Sequence, residues 1–178
     1  MKSVLISIQP KWVEKIASGK KTIEVRKSRP KLETPFKCYI YCTIGNGSKG
    51  DFLVPSGIQC GKVIGEFVCD NITALYNVAT TSWNLLYGNV HNHAKNLVGK
   101  ACLTEKEIHD YAKGKDCYAW HISDLKIYDK PKELSEFFYA CKQPKGTDCS
   151  KCVDNRENHC KSITRQPQSW CYVESLGE

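Results

Sequence analysis

Short apolar segments, separated by glycine, proline and polar residues, restrict the fold of this chain more than any other feature of its sequence. They show the period-two alternation and the limited length that are typical of β-strands. We predict strands at Val4–Ile8, Thr22–Arg26, Lys37–Thr43, Lys62–Cys69, Cys117–Ile122, Leu125–Tyr128 and Trp170–Glu174. Strands this short and this numerous, with little helix between them, favour a small mixed β-barrel.

A few short helices are predicted between these strands, over residues 10–18, 105–113 and 131–139. Pro10 suits the first turn of the first helix, and Gly19 fits the left-handed position after its end. Thr104 and Glu107 form a capping box that opens the second helix. Helical fragments without clear boundaries are expected within residues 71–101. The predicted fold class is therefore α+β, a barrel decorated with short helices, in a single domain over residues 1–174.

The basic charge of the chain is concentrated in one part of it. Residues 1–37 hold ten basic and three acidic side chains, which accounts for the whole net charge of +7. Such a segment is typical of an electrostatic footprint for a polyanion, although a lysine-rich surface that only aids solubility remains an alternative. We see no apolar run near the ~20 residues that span a bilayer. With no signal peptide visible, we expect a cytoplasmic protein that has no membrane partner.

Four of the eleven cysteines are clustered, and they predict a metal site. Their spacing is C-x7-C-x2-C-x7-C, and the ligands would be Cys141, Cys149, Cys152 and Cys160. The surrounding residues are too polar to fold by apolar burial, so a metal would have to supply the ordering free energy. We predict a structural zinc module, inserted at residues 141–160. An iron–sulfur cluster, a redox dithiol, and a ligand role for His159 remain alternatives. The other seven cysteines are predicted to be small buried residues.

One segment carries a family resemblance. Residues 19–26, GKKTIEVR, fit the pattern G-x-K-x-x-E-x-R, and GEF at 65–67, YAWHI at 118–122 and QSW at 168–170 follow downstream. Together they resemble ASCH domains of the PUA-like superfamily, especially those of phages and low-GC bacteria, from Met1 to about Glu174. The resemblance implies a PUA-like barrel with a basic cleft that holds the motif residues and accepts RNA or a modified nucleotide.

The spacing of the motif residues makes chemical sense for such a cleft. On a strand, Glu24 and Arg26 point to the same face, and Lys21 lies in the turn just before. A carboxylate flanked by two cations suits a nucleobase edge beside a phosphate. The spacing alone favours a surface ion pair of little energetic weight, and the resemblance reverses that preference. We predict nucleic-acid binding by Lys21, Glu24 and Arg26.

Trp120 and His121 are two further candidates for nucleic-acid binding. As neighbours on one strand they face opposite sides, so we expect only one of them to line a cleft. Trp120 could stack on a base or belong to the core. His121 could contact a phosphate. We predict that His91 and His93 are surface residues of a polar loop.

Two alternative functions follow from the resemblance and from the cysteine module. Some small bacterial relatives look like amidohydrolases of acylated cytidine that use the motif lysine, a threonine and a later glutamate. Here Glu24 replaces the threonine, so the hydroxyl nucleophile is missing. A catalytic set would be Lys21, Glu24 and Glu66, for such a hydrolase or for a weak ribonuclease. The other alternative is a phage protein that engages a host protein through its zinc module.

Overall fold

The computed structural model describes residues 2–44, 57–75, 91–141 and 161–176. Its strands are β1 (Lys2–Ile8), β2 (Ile23–Arg26), β3 (Phe36–Cys42), β4 (Val63–Cys69), β5 (Ile72–Leu75), β6 (Cys117–His121), β7 (Ser123–Lys132) and β8 (Trp170–Glu174). Its helices are α1 (Pro10–Ala17), α2 (His91–Ala101) and α3 (Glu105–Ala112), with one 3₁₀ turn at Leu134–Glu136. The mixed α+β class is confirmed. In the described part of the chain, no helix is long and apolar enough to cross a membrane.

The strands form two sheets. One sheet has five strands in the order β7-β4-β3-β1-β8, and the other has three in the order β2-β6-β5. The chain also divides into two compact units. The first unit comprises residues 1–13, 37–66 and 126–178, and the second comprises residues 14–36 and 67–125. The prediction of one barrel domain over residues 1–174 stays a prediction.

The first unit is built around β1. Every residue of β1 after Lys2 is buried, so this strand has neighbours on both faces as well as on both edges. It runs parallel to β3 and antiparallel to β8, with Lys2 opposite Glu174. Side chains from the sheet and from the segments beside it form the core: Leu5, Tyr39, Tyr41, Val63, Phe137, Ile163 and Val173. In β4, Gly65 lies so close to the backbone of Lys126 and Ile127 that a side chain would overlap it.

The second unit contains the three-stranded sheet and helices α2 and α3. β6 pairs antiparallel with β2 on one side and with β5 on the other, which makes it the central strand. The capping box of α3 forms as predicted: Glu107 N donates to Thr104 Oγ1 at 3.2 Å, and Thr104 N donates to Glu107 Oε2 at 2.8 Å. The core of this unit consists of Ile23, Val25, Leu75, Ala101, Ala112, Cys117 and Ala119.

Two local predictions are wrong, and one strand was not predicted. The predicted helix over 131–139 is replaced by the end of β7 and a single 3₁₀ turn. β7 is an edge strand, and an edge strand tolerates a proline because some of its N–H groups have no partner strand. The polar loop predicted around His91 and His93 is instead the first turn of α2. The short strand β5 was not predicted, since four residues give too weak a pattern.

The scattered cysteines mostly follow the prediction that they are core residues. Five of the seven are buried: Cys38, Cys42, Cys60, Cys69 and Cys117. The other two, Cys102 and Cys171, are partly exposed. Burial raises the pKa of the Cys69 thiol to about 12, and the nearby carboxylate of Asp70 adds to the rise. A thiol with so high a pKa stays protonated near neutral pH, as expected of a structural cysteine.

Candidate functional site

Lys21 reaches the interior of the second unit because of the turn that follows α1. Gly19 adopts a positive φ of 72° after the helix, a conformation that costs glycine little. Lys21 N then donates to the Lys15 carbonyl oxygen at 2.9 Å. The turn directs the Lys21 side chain inward, where it is only 2% exposed and Nζ donates to the Ala101 carbonyl oxygen at 2.7 Å. Ala101 is the last residue of α2, and a helix C-terminus favours a cation.

Glu24 joins two cations into one buried cluster. Its Oε2 lies 3.3 Å from Lys21 Nζ, and its Oε1 lies 3.0 Å from Arg26 Nη2. The side chains of Glu24 and Arg26 are 8% and 10% exposed. We call Lys21, Glu24 and Arg26 the motif cluster. It carries one positive charge in excess. The exposed surface pair that the spacing also allowed is excluded, because all three residues are buried.

The burial of the motif cluster follows from its place in the sheet. β2 is buried along its whole length, with Ile23 and Val25 in the apolar core. Glu24 and Arg26 alternate with them, so they share the other face. On β6, Glu24 lies opposite Trp120 and Arg26 lies opposite Tyr118. The alternation predicted from the sequence therefore holds, with polar side chains buried on one face and apolar ones on the other.

Trp120 is a core residue rather than an open stacking platform. It is fully buried, and its ring meets Phe36 edge to face at a centroid distance of 6.0 Å. In β6, Cys117, Ala119 and Trp120 are buried, whereas Tyr118 and His121 are partly exposed. A base can stack only on an exposed ring face. The position of Trp120 therefore favours the core interpretation that the sequence left open.

His121 is exposed and has a partner that the sequence did not reveal. Its Nδ1 lies 2.6 Å from Asp70 Oδ1, and both side chains are exposed by about two-fifths. Its backbone N donates to the Asn71 carbonyl oxygen at 2.9 Å. The carboxylate fixes the ring orientation and leaves Nε2 as the outer nitrogen. Of the two candidates on β6, His121 is the accessible one.

Glu66 belongs to the first unit, as do its partners Tyr128 and Lys37. Tyr128 Oη donates to Oε2 at 2.6 Å, and Lys37 Nζ donates to Oε1 at 3.2 Å. Burial raises the pKa of Glu66, but the hydrogen bonds from Tyr128 and Lys37 outweigh it and hold the pKa below its usual value. The carboxylate is therefore ionised and held in place at neutral pH. Its partners lie far from it in the sequence, which is why the sequence did not indicate them.

Two cation–aromatic pairs in the second unit were also missed. Lys27 Nζ lies 4.9 Å from the centroid of the Tyr111 ring, and Arg29 Cζ lies 5.8 Å from that of Tyr118. We call these four residues the basic–aromatic strip. Lys27 and Arg29 are exposed and directly follow β2. The charge excess of residues 1–37 was a signal for the two cations, but nothing in the sequence indicated which rings they meet.

The segment after β2 also walls a pocket of about 790 Å³. Its lining consists of residues 29–34, together with Asn71 and Ile72. Arg29 therefore belongs both to the basic–aromatic strip and to this pocket. The volume is in the range of small-molecule sites. The lining combines two cations, the carboxylate of Glu33, a hydroxyl and an amide with the apolar side chains of Pro30, Leu32 and Ile72.

The predicted zinc ligands fall largely outside the described residues. Cys149, Cys152 and Cys160 lie there, and only Cys141 is described; its backbone N donates to Glu174 Oε1 at 2.7 Å. The described residues contain no group of three or more metal-ligating side chains. Since three of the four cysteines were not part of that search, zinc binding at this site stays a prediction.

Comparison with known proteins adds to this geometry. Residues 6–143 match the family described as ASCH domain. No curated protein matches the chain. The crystal structure of ASCH from Zymomonas mobilis is similar at 22% identity and a TM-score of 0.52, covering 74% of this chain and 73% of that one. One single-substitution variant of the Zymomonas protein has 24% identity and a TM-score of 0.51, covering 75% and 77%. Another has 19% identity and a TM-score of 0.58, covering 97% and 88%.

Proposed function

Since this chain belongs to the ASCH domain family, we propose that it is a nucleic-acid-binding protein that recognises RNA or a modified nucleotide at the motif cluster. The observation that carries the proposal is the buried cluster itself, in which one carboxylate is held by two cations. Burying three charges costs free energy that a purely structural core avoids. Charged side chains that are held together in a buried cluster are often found at functional sites.

The burial of the three side chains suggests different roles for them. Arg26 keeps the largest exposed fraction of the three side chains, and its planar guanidinium suits a phosphate or a base carbonyl. Glu24 orients Arg26 through their ion pair. Lys21 is almost fully enclosed, with Nζ against Ala101 O and Glu24. Its part in the proposal is to position Glu24 and to supply positive charge, rather than to touch the ligand.

Fluorescence anisotropy with a labelled single-stranded RNA, measured over a series of salt concentrations, tests the proposal. We expect log Kd to rise linearly with log salt, because phosphate contacts release counterions. Arg26→Lys keeps the charge but loses the planar fork, so it should weaken binding by at least about tenfold, or ~1.4 kcal/mol. Lys130→Gln removes one exposed cation from β7 in the first unit and serves as the control. A Kd that does not change with salt, or equal effects of the two substitutions, would contradict the proposal.

The hydrolase alternative is tested with Glu24→Gln, again with Lys130→Gln as the control. Both oxygens of Glu24 are held in ion pairs, which favours an anchoring role over proton abstraction from water. We therefore expect no release of acetate from N-acetylcytidine, and an intact RNA after long incubation. Acetate or RNA fragments that appear with the wild type and vanish with Glu24→Gln, but not with Lys130→Gln, would show an enzyme instead.

We also propose that residues 141–160 bind one structural zinc ion through the four clustered cysteines. The support is the spacing of the cysteines and the polar sequence around them. Native mass spectrometry of the purified protein should show the mass of one zinc ion, which Cys149→Ser and Cys152→Ser together remove. Bound iron, or no metal in a freshly reduced sample, would contradict this assignment.

A further inference from the structure

We propose that the basic–aromatic strip binds the nucleotides that flank the one held at the motif cluster, so that the preferred ligand is single-stranded RNA of several nucleotides. This inference rests on the proposed function and extends it from a nucleotide to a strand. The strip consists of Lys27, Arg29, Tyr111 and Tyr118. Lys27, Arg29 and Tyr111 lie outside the segments that carry the family resemblance, and Tyr118 is the first residue of the YAWHI segment.

The strip is continuous with the motif cluster. Lys27 directly follows Arg26, and Arg29 lies two positions further along the chain. Tyr118 is the partner of Arg26 across the β2–β6 pair. Burial raises the pKa of Tyr111, and Arg26 lies near enough to oppose that rise. A ligand that reaches Arg26 is therefore next to both rings of the strip.

The surface of the strip has the composition that single-stranded nucleic acid requires. Lys27 and Arg29 are exposed, Tyr111 is 40% exposed, and Tyr118 is partly exposed. Within the described part of the chain, neither Lys27 nor Arg29 forms an ion pair with a carboxylate. Both cations instead lie over aromatic rings. Cations that track a backbone, interleaved with rings on which bases stack, are the usual way to bind a strand without pairing.

The pocket beside Arg29 offers room for one more nucleotide. Its volume of about 790 Å³ is within the range of nucleotide-sized sites. Residues 27–34 contain three basic side chains and one acidic side chain, Glu33, which also lines the pocket. Lys31 and Asn71 line the pocket, so a phosphate and a base edge would both find polar partners there. Strip and pocket together extend the basic surface away from the motif cluster in one direction along the chain.

A single strand fits these features better than a duplex does. In a duplex the bases are stacked on each other and are not available to Tyr111 or Tyr118, and protein contacts are mainly to shape, sugar and phosphate. An acidic protein segment would use the two cations but would gain little from the rings. The dependence on the tyrosines therefore separates these ligands.

The test compares a mononucleotide with single-stranded RNA of about four and about ten nucleotides, a range that spans typical strand-binding sites. Isothermal titration calorimetry on the full chain gives each Kd. Tyr118→Leu and Tyr111→Leu should each weaken binding of the longer RNA by roughly 5- to 100-fold, the loss of one stacked base. They should weaken binding of the mononucleotide much less than binding of the longer RNA, and Tyr118→Phe should retain the affinity for the longer RNA because the ring remains. Arg29→Gln should lower the slope of log Kd against log salt by about one, the contribution of one phosphate contact.

Control variants are available in the first unit. Phe138→Leu removes an exposed aromatic ring, and Lys130→Gln removes an exposed cation; both should leave every Kd unchanged. If the longer RNA binds no tighter than the mononucleotide, or if the tyrosine variants bind it normally, the strip proposal is overturned while the proposed function stands. Polyglutamate, which has negative charges but no bases, is the competitor that represents an acidic protein segment. If it displaces RNA equally well from the wild type and from the tyrosine variants, the strip proposal is again overturned while the proposed function stands. If the wild-type protein binds neither the mononucleotide nor RNA, both proposals are overturned. Its calorimetric titration would then show no binding heat, which distinguishes this result from failure of the strip proposal alone.

Discussion

Replacing Glu24 by glutamine is the sharpest perturbation of the motif cluster. The substitution keeps the shape of the side chain but removes the one negative charge between Lys21 and Arg26. The two contacts are 3.3 and 3.0 Å long. At an effective dielectric constant of ~20, each corresponds to an attraction on the order of 5 kcal/mol, most of which offsets the cost of burying the charges. The variant loses the attraction that offsets this cost, because Lys21 and Arg26 remain buried without the anion between them.

We expect Glu24→Gln to lower the free energy of unfolding by about 3–5 kcal/mol, the usual result of breaking a buried ion pair from one side. Urea denaturation at neutral pH, followed by tryptophan fluorescence to which buried Trp120 contributes, measures this loss. With a slope of ~2 kcal/mol per molar urea, the midpoint should fall by roughly 2 M. The loss should persist in ~1 M salt, because buried charges are screened much less than exposed ones.

A matched control lies on the surface of the same unit. Asp110→Asn removes the anion of the Lys106–Asp110 pair, which has a contact distance of 2.6 Å but is largely exposed. Exposed pairs contribute little, so its urea midpoint should stay at the wild-type value. The double variant Lys21→Met, Glu24→Gln should lose roughly 1–3 kcal/mol less than the two single variants together. If Glu24→Gln and Asp110→Asn had equal midpoints, the motif cluster would not be shielded from water, and the argument for its role would fail.

Four further substitutions test other parts of the structure. Gly65→Ala should destabilise the first unit by about 1–3 kcal/mol, because the added methyl group would overlap the backbone of β7. Gly99→Ala, with no atom near the added methyl group, should stabilise α2 by roughly 0.5–1 kcal/mol; equal thermal midpoints for the two alanine variants would contradict the packing described. Thr104→Ala removes the cap of α3 and should cost about 1 kcal/mol in urea denaturation. Tyr128→Phe removes a hydrogen bond that lowers the pKa of Glu66, so a carboxyl-carbon NMR titration should show that pKa rising. Because a lowered pKa stabilises the folded state at neutral pH and the effect is lost on acidification, this variant should lose less stability as the pH falls through the Glu66 titration.

Much of the sheet structure could be predicted because strand length and alternation are local properties. The bounds of β2, β3, β4 and β8 agree with the predicted strands to within a residue at each end. The helix predicted at 131–139 is wrong because the local sequence around Pro131 fits the end of an edge strand as well as it fits the start of a helix. Only the pairing of β7 with β4 decides between them, and that pairing depends on residues far away in the chain.

The composition of the motif cluster could be predicted from the sequence, but its burial could not. Strand periodicity placed Glu24 and Arg26 on one face, and the structure joins them through a 3.0 Å contact. Whether that face was solvent or interior depended on α2, which supplies the Ala101 carbonyl oxygen to Lys21 from 80 residues further along the chain. The same limitation applies to Asp70 beside His121 and to the two tyrosines of the basic–aromatic strip, since each contact joins separate segments.

The position of β1 between β3 and β8 bears on how the protein is made. β8 begins 162 positions after β1 ends, yet the two strands pair directly. The edge of β1 that β8 covers stays unpaired until nearly all of the described chain has been synthesised. An uncovered apolar strand edge is prone to aggregation. The second unit, whose strands all precede residue 126, has no such delay. Sequence separation on this scale slows folding, so we expect the first unit to set the folding rate and to need protection during synthesis.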